Sequence, residues 1–117
     1  MKDIKISSAA AAALADILEF SMERWGLVRA EEYKQELLER VRSAARGEPP
    51  HPRPCEILMQ GKRNAAGLCY CAAGRHFIIL RETATSIEVV EFFHQSRDLE
   101  RLINRLTADE VKSRDDE

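Results

Sequence analysis

The chain has 117 residues, enough for one domain that buries roughly two-thirds of its unfolded surface without metal or disulfide help. Its composition, 44% hydrophobic and 32% charged, is that of a soluble globular protein. No apolar stretch is long enough to cross a bilayer or to form a secretory leader, so the expected compartment is the cytoplasm.

The net charge of −2 hides an uneven distribution. Residues 107–117 carry 2 basic and 5 acidic side chains, while residues 57–106 carry 7 and 5. That mild basic excess permits a nucleic-acid or acidic-protein partner without requiring one.

The first element is KDIKIS, where Ile4 and Ile6 alternate with charges at the two-residue period of a half-buried strand. Ser7 or Ser8 then caps a helix. From Ala9 to Trp25 the positions Ala10, Ala13, Leu14, Ile17, Leu18 and Trp25 fall on one stripe, with Asp16, Glu19 and Glu23 opposite. Gly26 ends that helix, and LVRAEEYKQELLERVRSAAR forms a second, with Ala30, Tyr33, Leu37, Leu38, Val41, Ala44 and Ala45 inward and a Glu36–Arg40 pair on the wet side. Such a short break predicts an antiparallel helix hairpin. Gly47 stops the second helix, and GEPPHPRP, with four prolines in six positions, reads as a stiff extended connector.

Strands follow. Glu56 to Gln60 reads as an edge strand turning at Gly61-Lys62-Arg63-Asn64. Gly67 to Ala73 and His76 to Glu82 flank the short turn Gly74-Arg75, and Ser86 to Phe93 is the last strand. HFIILR is apolar on both faces, as a central strand should be. Asp98 to Leu106 repeats Leu99, Leu102, Ile103 and Leu106 at helical spacing, with Ser96 and Asp98 as helix-start residues. The fold class is therefore α+β: an N-terminal strand, a helix hairpin on one face of a 3–4-stranded antiparallel sheet, and a short C-terminal helix. A single domain spans 1–106, and the acidic tail 107–117 is expected to fray. On this reading the sheet face opposite the helices stays open to another macromolecule.

Cys55, Cys69 and Cys71 are odd in number, which argues against a disulfide framework. On one strand, Cys69 and Cys71 would have Cα atoms about 6.6–6.8 Å apart, at the limit of a bridge. No second Cys/His pair with metal-site spacing accompanies them, so they read as small apolar residues of a reducing compartment.

The stretches ISSAA, ERWGLVRAEEYKQELLERV, GRHFIILR and IEVVEFFHQSRD, in this order, together resemble the ParE toxins of the RelE/ParE superfamily over about residues 2–106. The shared features are the aromatic-glycine junction Trp25-Gly26 with Ala30 and Tyr33 after it, the strand marked by Gly74, His76 and Arg81, and a close on His94 and Asp98. Ile79-Leu80 stand where the family often has an aromatic pair. The resemblance implies the toxin of a type II toxin–antitoxin pair that inhibits DNA gyrase. It also implies a cognate ribbon-helix-helix, ParD-like antitoxin lying in the groove between helices and sheet, with DNA contacted only through that antitoxin. No cofactor, metal or membrane is implied.

Two rival readings stand beside it: a RelE-like ribosome-dependent mRNA endoribonuclease, and an inactive relative that serves only as antitoxin partner. Metal-free RNA cleavage needs a general base, a general acid and cations, for which Lys62, Arg63, Tyr70, Arg81 and His94 are the candidates. RelE-like nucleases typically also bring an active tyrosine from the C-terminal end, and no tyrosine follows Tyr70 here, so the resemblance to them is weaker at that point. For binding, the candidates are Lys62, Arg63, Arg81, His94 and Arg97, with Trp25, Gly26, Tyr33 and Asp98 as structural residues. Arg81 either faces the open side near Arg63 and His94 or forms an ion pair with Glu88 or Glu91. His94 either joins that surface or only bonds backbone where the chain turns.

Overall fold

The computed structural model describes residues 1–55, 67–96 and 101. Strand β1 (Asp3–Ile6) leads into helices α1 (Ser8–Trp25) and α2 (Leu27–Ala45), then the short strand β2 (Arg53–Pro54), and β3 (Leu68–Ala73), β4 (His76–Glu82) and β5 (Ser86–His94). The expected strand at Glu56–Gln60, Lys62, Arg63, Arg97, Asp98, nearly all of the expected C-terminal helix and the tail lie outside the described residues.

Local chemistry accounts for the helix ends. Ser7 caps α1, its hydroxyl accepting the Ala10 N–H at 3.0 Å, so one orphan donor of the first turn is satisfied. Gly26 joins the two helices as a single residue at φ 86, ψ 170, an extended positive-φ region that is essentially glycine's alone. Beyond α2, Gly47 N–H bonds Ala44 O and Glu48 N–H bonds Ser43 O, closing a Schellman cap around a glycine at φ 73. The Arg40 guanidinium reaches Pro50 O at 2.6 Å, tying the proline connector to α2, in place of the expected pair with Glu36.

Five strands form one sheet in the order β1-β5-β4-β3-β2. The sheet is mixed rather than purely antiparallel: β1 runs parallel to β5, from Asp3 opposite Ser86 to Ile6 opposite Val89. The helix hairpin between them supplies the crossover that a parallel neighbour requires. The proline segment contributes β2, whose Arg53 and Pro54 pair with Tyr70 and Cys69 at the sheet edge, where a missing N–H is tolerated. Between Ile79 and Leu80 the β4–β5 ladder shifts register, leaving Val90 as an extra residue on β5.

Both faces of the sheet are buried. Under the helices, Tyr33, Leu37 and Val41 of α2 pack with Ile78 and Leu80 of β4 and Ile87, Val89 and Phe92 of β5. On the other face Cys55, Leu68, Ile79 and Val90 form a second cluster, joined by Tyr70, Phe77 and Phe93. Ile79 is 0% exposed. This corrects the expectation of an open second face. A central strand with bulky side chains on both sides loses about 1.5–3 kcal/mol for each one left in water, so the fold covers both. A platform for a partner must be sought elsewhere.

The cysteines are free and packed into these clusters. Burial pushes the Cys55 thiol up to about 12 and Cys69 to about 11, and raises Cys71 as well, which makes all three poor nucleophiles.

Candidate recognition site

Of the binding candidates, Arg81 and His94 lie among the described residues, and the structure sets these two apart. Arg81 sits on the second face and meets Glu88 across the β4–β5 ladder at 3.5 Å. His94 stands opposite His76 at the other end of the same ladder, about 17 Å away along the strand, and on the helix-covered face. Tyr70 lies edge-on to Phe77 in the second cluster, their ring centroids 6.0 Å apart. These groups do not converge on one pocket.

A different set does. The last turns of α1, the first turns of α2, the β3–β4 turn and the end of β5 enclose a cavity of about 470 Å³, walled by Ile17, Phe20, Trp25, Tyr33, His76 and His94, with Arg75 and Asp16 at its lining. Gly74 makes the approach possible. Its φ is 55, and a Cβ there would stand 2.4 Å from Tyr33 Cε1. The turn must be glycine both for its backbone and for the tyrosine ring that lies against it.

Tyr33 is the centre of the site. Its hydroxyl accepts the Arg75 N–H at 2.9 Å and contacts His76 Nδ1 at 2.6 Å. With the hydroxyl accepting from Arg75 and His76 Nδ1 the one acceptor beside it among the described residues, its own proton is assigned to Nδ1, which places the His76 ring proton on Nε2. Burial, with the neighbouring His94 adding to it, pulls His76 down to about 4, so the ring is neutral at pH 7. Burial likewise raises Tyr33, keeping the phenol protonated.

His94 repeats the arrangement on the surface. Its Nδ1 accepts the Ser96 N–H at 3.1 Å and lies 2.7 Å from Ser96 Oγ, so its ring proton is also on Nε2. Ser96 Oγ thus stands against the histidine, and the helix start expected of Ser96 lies outside the described residues. The two imidazoles meet edge to face with centroids 5.2 Å apart. Gln95 fastens the corner: its N–H bonds Arg75 O at 2.9 Å, and its amide bonds His76 O at 3.1 Å and Gly74 O at 3.3 Å.

Around the cavity the surface is aromatic and cationic. Trp25 stands edge-on to Tyr33 at 6.5 Å, and the Arg75 guanidinium lies 5.7 Å over the Trp25 ring. Arg24 sits 5.5 Å over Phe20. At the hairpin tip Phe20 is 56% exposed, Trp25 42%, Leu27 59% and Val28 74%. A group of large apolar side chains left in water next to arginines is the composition of an interaction hot spot.

Acid–base chemistry fits the site poorly. A general base works best with a pKa near the working pH, and His76 is held far below it with Nδ1 already engaged. Trp25 and Tyr33, read from the sequence as structural, turn out to line the cavity. Phe20, Arg75 and Gln95 were not among the site residues read from the sequence, where Arg75 stood only as a turn residue. Phe20 carried a legible signal: it lies one heptad after Ala13, at the margin of the α1 stripe, where a large aromatic is left largely exposed. Among the described residues, no helix is long and apolar enough to cross a membrane.

Comparison with known proteins agrees with this fold. The family described as ParE toxin of type II toxin–antitoxin system, parDE, matches residues 4–99. Toxin ParE1 of Caulobacter vibrioides is 33% identical over 96 residues, covering 82% of this chain and 92% of the relative. Toxin ParE1 of Mycobacterium tuberculosis is 34% identical over 97 residues, with the same coverage. A solved structure described as a chromosomal ParDE system from P. aeruginosa superposes with a TM-score of 0.64 at 18% identity, covering 80% of this chain and 96% of that one, which supports the fold. The chain thus belongs to the ParE toxin family and is the toxin of a type II toxin–antitoxin system.

Proposed function

We propose that this toxin blocks replication by binding DNA gyrase in the cytoplasm, and that a ribbon-helix-helix, ParD-like antitoxin silences it, with DNA contacted only through that antitoxin. The observation that carries this reading is the helix-hairpin tip, where exposed Phe20, Trp25, Leu27 and Val28 and the cations Arg24 and Arg75 border a preformed cavity. Such a surface suits protein recognition, in which a few desolvated aromatic and arginine side chains supply most of the binding energy. Inhibition by binding also needs no acid–base pair, which matches a His76 that stays neutral.

A supercoiling assay with purified gyrase tests it. The chain should inhibit supercoiling, and Trp25→Ala or Arg75→Ala should weaken inhibition on the order of tenfold or more. Arg81→Ala, at the far end of the sheet, should leave it within about threefold. Gyrase that runs at full rate in excess toxin, while a cell-free translation reaction stops, would transfer the chain to the RelE-like reading.

A further inference from the structure

The cavity beside Trp25 has a chemical bias that its apolar walls conceal. Ile17, Phe20 and Trp25 give it a greasy side fit for one aliphatic or small aromatic side chain. The opposite side is polar, and the imidazoles and the guanidinium there present N–H donors. Tyr33 has spent its proton on His76 Nδ1, and His94 Nδ1 is filled by Ser96. Both imidazoles therefore keep an Nε2–H, and the Arg75 guanidinium, which has no acceptor atom, lies against Trp25 next to them. Asp16, the one acid of the lining, and Ser21 belong to α1, whereas Arg75 and the histidines belong to the β3–β4 turn and to β4 and β5.

From this complementarity we infer that the cavity is an anchor site for a peptide segment of a partner protein, one that inserts an apolar side chain between Ile17, Phe20 and Trp25 and sets an adjacent carboxylate against Arg75, His76 and His94. The inference rests on the recognition role proposed above and names the chemistry of the partner. An amide in place of the carboxylate keeps a single acceptor oxygen, carries no charge and turns its NH2 toward the remaining N–H groups, which leaves a donor unpaired in a half-buried site, a costly arrangement. A carboxylate instead receives charge-assisted hydrogen bonds from a guanidinium stacked on an aromatic face. Segments that are apolar but neutral, or apolar and basic, are disfavoured by the same groups.

Trp25 is the single tryptophan of the chain, so its fluorescence reports on the cavity directly. The probes are acetylated, amidated tetrapeptides of alanine carrying a central leucine followed by glutamate, glutamine or lysine, titrated against the full-length chain. The glutamate peptide should shift Trp25 emission saturably, and the glutamine peptide should bind at least about tenfold more weakly. Arg75→Glu should reverse the order, so that the lysine peptide binds best. That variant should fold, because the Arg75 backbone, not its side chain, makes the bonds to Tyr33 and Gln95. An unchanged circular dichroism spectrum checks this. As a variant-independent readout, the glutamate peptide should move the C2–H resonances of His76 and His94 and leave that of His51 in place. Equal binding of glutamate and glutamine peptides, no saturable response, or an unreversed order in Arg75→Glu would each overturn the inference. Gyrase inhibition that persists alongside such a result removes only the anchor chemistry, whereas its absence in wild type removes the recognition reading itself.

Discussion

The two ends of the β4–β5 ladder are built from the same kinds of residue and behave differently. At one end Arg81 meets Glu88 and Lys2 meets Glu82, all at least partly exposed, around the short turn that Thr83 and Ser86 close. At the other, His76, His94, Tyr33 and Arg75 are locked together by hydrogen bonds and ring contacts, with a cavity beside them. Charges screened by water contribute little wherever they are placed, whereas polar groups in a half-buried aromatic setting hold fixed tautomers and orientations. Of the two, the second end is the more tightly organised.

That contrast can be broken at several points. Gly74→Ala should have the largest effect, destabilising the fold by about 2–4 kcal/mol, because the added methyl meets the Tyr33 ring and the backbone is in the left-handed region. Urea unfolding would measure it, and a loss below about 1 kcal/mol would mean the turn is not held against α2. Midway along the ladder, Ile79→Ala should cost about 2–4 kcal/mol if the second face is a true core; a near-neutral result would restore the open face that the sequence suggested.

The pH dependence comes next. The folded-state pKa of His76 lies near 4, below its ordinary value of 6.5, so between those values the unfolded chain binds more protons. The stability contributed by the neutral ring is full above about pH 6.5, falls as pH drops toward 4, and is flat below. Allowing for partial exposure, this amounts to on the order of 1–2 kcal/mol. His76→Gln should flatten the profile of unfolding midpoint against pH in that window. Tyr33→Phe is smaller, about 1 kcal/mol, since it removes one hydroxyl that serves Arg75 and His76. Arg81→Ala should lie within about 0.5 kcal/mol, and a larger loss would show that the wet end is more than a screened pair.

Much of the fold could be read in advance. The stripe through Tyr33, Leu37 and Val41, the Ser7 cap and the strand pattern of HFIILR are local signals, and each emerged in place. The site was less legible. Arg81 and His94 were read as neighbours because each ends or nearly ends a strand, but antiparallel pairing sends consecutive strand ends to opposite ends of the ladder. Tyr33 and His76 lie 43 residues apart, and nothing local to either announces the bond between them.

The amino-acid sequence by itself determined the helices, the principal strands, the glycine joints and the family resemblance, because capping, hydrophobic period and turn chemistry act over a few residues. Tertiary structure alone decided that β1 lies parallel beside β5, that both sheet faces are covered, and that Tyr33, Arg75, His76 and His94 share one corner. Those outcomes depend on how distant segments compete to bury the same apolar surface, and that competition is resolved only when the whole chain packs.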